Sequence, residues 1–172
     1  ALAAARHAGG GKAPPEMAQQ LVAVAIARFG ADSETLIADV LDAAGHATAR
    51  AAAMDGNPLL RRAAARALSS QPSEEDVAAL RTLLSDKDRS VEATAVRALG
   101  ENKVEAARTE LLVRARLGFP EVRAAALEAV GSMGGEFVLD ALVLGATDAD
   151  VQVRRASAKG LANLADPSAT GF

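Results

Sequence analysis

Cysteine, tryptophan and tyrosine are all absent, and aromatic residues make up 2% of the 172-residue chain. Without cysteine there is no disulfide, no thiolate metal ligand and no thiol nucleophile. That absence suits either cytoplasm or periplasm, the cytoplasm being favoured. Histidine occurs only as His7 and His46. With no paired His-Glu motif they do not make a metal or di-iron site. Both read as solvated residues, His7 in an N-terminal leader and His46 at a helix end behind Gly45. A basic surplus is also missing: the net charge is −3. Proteins that grip a phosphate backbone carry excess Lys and Arg and stack bases on aromatic rings, so no nucleic-acid partner is expected. The apolar runs, such as Leu21–Ala27, are far short of the roughly 20 residues that cross a bilayer, so no membrane insertion is expected.

What the chain has is alanine and a period. Half of the residues are hydrophobic, and alanine dominates them. Alanine favours helix because it loses no side-chain entropy. It also buries little area, so alanine-rich helices must approach closely to gain contacts. The stretch Val122–Gly131 (VRAAALEAVG) recurs as Leu60–Ser69, Val91–Gly100 and Val153–Ala162. The anchoring residues are evenly spaced, since 91−60, 122−91 and 153−122 are each 31. A fixed period of this size marks a helical solenoid.

The spacing predicts a first helix (A) and a second helix (B) in each unit. The A stripe lies at i, i+4, i+7 and i+8: Leu60/Ala64/Ala67/Leu68, Val91/Ala95/Ala98/Leu99, Val122/Ala126/Ala129/Val130 and Val153/Ser157/Gly160/Leu161. The i+7 member is always small, which reads as the point of closest helix approach. The first B helix follows Ser73, with Asp76 placed for a capping box, and buries Val77, Leu80, Leu83 and Leu84. The second, about Val104–Leu117, buries Ala107, Leu111, Leu112 and Ala115. The third, about Gly135–Ala146, buries Val138, Leu139, Leu142 and Val143.

Ahead of these, Met17–Phe29 reads as a diverged A copy that buries Leu21, Val22, Ala25, Ile26 and Phe29 and ends at Gly30. Its offset to the next copy is 60−21=39. Ser33 is placed to cap the next helix, which Gly45 ends, and Thr48–Met54 reads as a short helical insert before the turn Asp55-Gly56-Asn57-Pro58. Residues 1–15 read as a flexible leader or upstream remnant, residues 16–166 as the repeat domain and residues 167–172 as a C-terminal tail. Gly9-Gly10-Gly11-Lys12 lacks the spacing of a phosphate loop. The chain starts on Ala1 rather than Met, and its last A helix has no B helix after it but keeps an apolar stripe at Val153, Leu161 and Leu164. A longer parent array is therefore expected.

The block V-R-x-x-A-x-x-A-L/V-G, opened by an Asp- or Pro-containing turn, is best preserved at Pro120–Gly131 and Asp150–Ala162. It resembles the short bacterial HEAT-like repeat, the type associated with phycobilisome lyases. The resemblance covers about Met17–Asp166. It implies an all-α, right-handed α-solenoid of HEAT-like helical hairpins, with a turn Asp and a helix-A Arg laddered between repeats. Arg61, Arg123 and Arg154 hold the Arg column and Glu92 breaks it; Asp55, Asp86 and Asp148 lie six residues earlier.

No constellation for catalysis or a cofactor is found. Asp86/Asp88 and Asp148/Asp150 read as turn caps rather than a cation site. Glu74-Glu75-Asp76 reads as an acidic helix start. Ser69, Ser70 and Ser132 have no histidine to activate them. In HEAT-like solenoids the B helices line the concave face, so Arg108, Arg114 and Arg116 are the candidate partner-binding residues. The expected function is a non-catalytic protein–protein interaction scaffold that binds another protein or another domain of the same chain. A chromophore-lyase-like subunit and, behind it, a nucleic-acid-binding solenoid are the alternatives, and the scarcity of aromatics counts against both.

Overall fold

The structure, a computed structural model, describes residues 14–165; His7, the leader up to residue 13 and the tail lie outside them. The described residues are helical, with no strand. The helices are α1 Pro15–Phe29, α2 Glu34–Ala44, α3 His46–Ala52, α4 Pro58–Ala67, α5 Glu74–Leu83, α6 Arg89–Glu101, α7 Arg108–Leu117, α8 Pro120–Met133, α9 Val138–Gly145 and α10 Val151–Ala165. Single 3-10 turns span Gly30–Ser33 and Glu105–Ala107. The described residues divide into two compact units, 14–79 and 80–165.

In the first unit α2 packs against α1, α3 and α4. The diverged first copy is looser than the regular ones. Leu21 and Ile26 are half-buried and Phe29 is exposed, contrary to its predicted core position. The aligned residues Val91, Val96 and Leu99 are fully buried. The reason is local: Gly30 (φ 55) stops α1 immediately after Phe29, whereas its counterpart Gly100 lies inside α6. Ser33 does not cap α2 either. Its hydroxyl donates to the Gly30 carbonyl at 2.5 Å, within the 3-10 turn. Gly45 (φ 95) ends α2 as expected.

In the second unit α8 is central. It packs against α6 and α10 on its two sides and against α7 and α9 from a second layer. Val91, Val122 and Val153 are fully buried, as are Leu80, Leu111 and Leu142 of the B helices. The predicted close approach is present, with one addition. At Gly100 an added Cβ would stand 2.3 Å from the Ala129 Cβ, and at Gly131 it would stand 2.6 Å from the Gly160 Cα. The small residue at i+7 therefore meets the glycine at i+9 of the preceding repeat. Glycine here serves a helix crossing rather than a cap. Alanine normally gains about 1 kcal/mol over glycine inside a helix. We expect the opposite sign for Gly131→Ala, because α10 backbone occupies the space. A lower urea midpoint than the parent's is the expected result, and a raised midpoint would show that α8 and α10 can separate without loss.

The third B helix departs from the sequence reading. Gly134, Gly135 and Phe137 all have positive φ (66, 97 and 62), so α9 cannot begin before Val138. Its buried face is Val138, Ala141, Leu142 and Gly145, while Leu139 and Val143, predicted as core, are exposed. The inward stripe is taken up by Val138, Ala141, Leu142 and Gly145, and a Cβ at Gly145 would lie 2.6 Å from Leu127, so the end of α9 sits close against α8 and Leu139 and Val143 fall on its outer side. The second B helix likewise starts late, at Arg108, after the 3-10 turn. Val77 and Leu112 are half-buried.

The turns between repeats are built from Asx caps. Asp55 accepts the Asn57 N–H at 2.7 Å, and Asn57 accepts the Leu59 N–H at 3.0 Å. Asp86 accepts from Asp88 at 2.8 Å, and Asp88 from Ser90 at 2.9 Å and Val91 at 3.3 Å. Asp148 accepts from Asp150 at 2.8 Å, and Asp150 from Gln152 at 2.7 Å and Val153 at 3.3 Å. Each pair satisfies N–H groups that a helix start leaves orphaned. The Asp-x-Asp pairs are thus structural caps.

Candidate interaction surface

The candidate residues Arg108, Arg114 and Arg116 share α7, but their side chains do not converge. Arg114 points inward. Its Nε donates to Glu92 at 3.0 Å and its Nη2 to the Leu84 carbonyl at 2.5 Å. Burial pushes the Glu92 carboxyl up from its ordinary value despite this partner. Arg114 supplies the guanidinium missing from the helix-A column where Glu92 breaks it. Elsewhere in the column, Arg61 donates to the Asp55 and Gly56 carbonyls and Arg154 to those of Asp148 and Ala149. Arg123 donates to the Gly118 carbonyl at 2.8 Å and forks onto Asp148 at 2.9 and 2.8 Å. That Arg123 fork, with the Asp150 N–H, holds the Asp148 carboxyl below its usual value.

Arg108 spans a loop. It pairs with Glu105 at 2.5 Å and donates to the Gly134 carbonyl, tying the start of α7 to the turn before α9. Arg116 alone is exposed and carries no ion pair among the described residues.

Beside Arg116 lies an apolar surface that sequence reading assigned in part to the core. Val113 (48% exposed) and Leu117 (82%) face outward on α7, and Leu139, Val143 and Leu144 (56% to 57%) face outward on α9. Val113 and Leu144 are 144−113=31 residues apart, so they occupy the same position on successive B helices. Phe137, 60% exposed, stands at the start of α9 with φ 62. A bulky residue in the left-handed region is costly, and such strain gathers at functional sites. Exposed apolar patches of this kind mark interaction surfaces.

A second cluster escaped the sequence reading. In the first unit the Asp76 side chain is wholly buried and accepts from His46 Nδ1 at 2.6 Å and Arg50 at 2.5 Å. Asp76 and Ser73 form the predicted capping box: the Ser73 N–H donates to Asp76 at 2.9 Å and the Asp76 N–H to the Ser73 hydroxyl at 3.3 Å. His46 is therefore a buried carboxylate's partner rather than a solvated helix end. Burial acts to raise the Asp76 carboxyl, but the Ser73 N–H, Arg50, His46 and the Ser73 hydroxyl outweigh it and hold it far below the carboxylate range. Ser73 bonds to the carboxylate and not to the imidazole, so this is not a hydrolytic triad. Its signal in the sequence was Asp76 at the third helix position; His46, 76−46=30 residues away, had none.

Among the described residues no group of His, Asp and Glu could hold a metal ion, and no helix is long and apolar enough to cross a membrane. No curated protein matches the chain. Residues 47–117, running from α3 to the end of α7, match the family model described as HEAT repeats, so the segment that carries the first regular hairpins is similar to that family.

Proposed function

We propose that the chain is a non-catalytic protein-interaction scaffold that binds through the outer face of α7 and α9. HEAT repeats generally serve as interaction scaffolds, and the 31-residue period supports the short bacterial, phycobilisome-lyase type of repeat. On this reading residues 16–166 form the array, and the partner is another protein or another domain of the same chain. The observation that carries it is the pair Val113 and Leu144, exposed at one repeat position on neighbouring helices. Arg116 supplies a free guanidinium on the same helix, while Arg108 and Arg114 are engaged by Glu105, Gly134, Glu92 and Leu84. Large apolar groups left in water gain about 1.5–3 kcal/mol each when a partner covers them.

A photoreactive phenylalanine at Val113 or Leu144 tests this in an extract of the source cells. The expected result is a discrete crosslinked band, absent when the same group replaces exposed Ala158 on α10 and lost when Val113→Asp and Leu144→Asp are combined in competing protein. Equal labelling from Ala158, or no band from either position, would overturn the reading.

A further inference from the structure

We propose that the groove along α8, to which neither α7 nor α9 contributes, binds an extended acidic peptide. Two hollows of about 490 and 280 Å³ share Arg97, Ala125, Glu128 and Lys159, so they form one channel. Alanines of α8 make its floor. Arg97 stands on the α6 side, with Lys103 just beyond that helix, and Arg155 stands on the α10 side.

The charges in this channel are not equally available. Glu128 is held by Lys159 at 3.3 Å, Glu121 by Arg89 at 3.4 Å, and Asp150 by the Gln152 and Val153 N–H groups at 2.7 and 3.3 Å. Arg97, Lys103 and Arg155 are exposed and have no ion pair among the described residues, against Glu101 and the helix-capping Asp150 as the carboxylates without a cationic partner. The free charge is therefore cationic and comes from both walls. A carboxylate lying between Arg97 and Arg155 can meet a guanidinium fork from each, the geometry that gives the strongest charge-assisted hydrogen bonds.

Shape favours a peptide. Residues 120–132 of α8 rise about 18 Å, which matches five or six extended residues at about 3.3 Å each. In an extended chain alternate side chains point the same way, so acidic residues at every second position would face the floor and walls together. A nucleic-acid strand fits less well. No aromatic lines the channel to stack its bases.

The test is fluorescence anisotropy with a labelled hexapeptide of alternating Glu and Ala. Saturable binding is expected at about 50 mM salt, weakening at about 300 mM, and Arg97→Glu and Arg155→Glu should each weaken it about tenfold or more. Both arginines are exposed, and unchanged helicity and urea midpoints would show that the variants stay folded. The proposal is overturned if the Gln–Ala hexapeptide binds equally or if both variants bind like the parent. It is also overturned if equimolar inorganic phosphate displaces the peptide, or if a single-stranded oligonucleotide binds more tightly. It stands apart from the α7/α9 surface: loss of peptide binding leaves crosslinking at Val113 untouched, and the converse holds.

Discussion

Ala129→Leu is expected to lower the stability of the second unit by about 3 kcal/mol, at the upper end of the usual cost of overpacking. Ala129 lies in the middle of α8, where an added Cβ at Gly100 would already approach its Cβ to 2.3 Å. The three further carbons of leucine cannot lie against Gly100, and α8 cannot shift away because Gly131 is in turn pressed against Gly160 on the other side. Either α6 and α8 separate, giving up the dispersion contacts that an alanine-rich core depends on, or leucine takes a strained rotamer. Glu128→Leu, one residue away, is the control. Glu128 is partly exposed and pairs with the exposed Lys159, so its loss should fall within about 0.5 kcal/mol. Urea denaturation separates the two outcomes. Equal midpoints for Ala129→Leu and Glu128→Leu would mean that the crossing of α6 and α8 is not the tight contact described.

The second large effect is expected at Asp76. Asp76→Asn removes the buried charge that Arg50 and His46 both address and weakens the capping box with Ser73. A broken pair that is fully buried costs about 3–5 kcal/mol. Here Arg50 and His46 are partly exposed and can turn to water, so about 2–3 kcal/mol is expected. Glu75→Gln, which disturbs only the exposed pair of Glu75 with Arg50, should change little. The sign of the pH dependence follows from the depressed carboxyl. Its stabilising contribution is complete above the unfolded carboxyl value of about 4 and is lost as pH falls below it towards the folded value. The parent should therefore lose stability in acid more steeply than Asp76→Asn, and the gap between them should narrow as pH drops. Thermal melts of both proteins from neutral pH to about pH 3 check this. Parallel curves would show that Asp76 is not ionised by its partners in the folded state.

Much of the architecture follows from the order of residues alone. An apolar residue every 31 positions, with alanine or serine at i+4 and a small residue at i+7, is a repeated local instruction. Each copy reads the same way because its helix forms from neighbours in sequence, and the Asx turns follow for the same reason: Asp148 and Asp150 act within three residues of themselves. What needed the tertiary structure is everything set by which helix lies against which. Leu139 and Val143 carry the hydrophobicity of core residues. They are exposed because the inner side of α9 is occupied by Val138, Ala141, Leu142 and Gly145, the last pressed against Leu127. Arg108, Arg114 and Arg116 look alike on one helix, yet Glu92, Leu84 and Gly134 come from other elements and leave Arg116 alone free. His46 gains its partner from a helix 30 residues on. Hydrophobic periodicity reports the face a helix offers, whereas burial depends on the space its neighbours leave, and that space is a property of the packed chain.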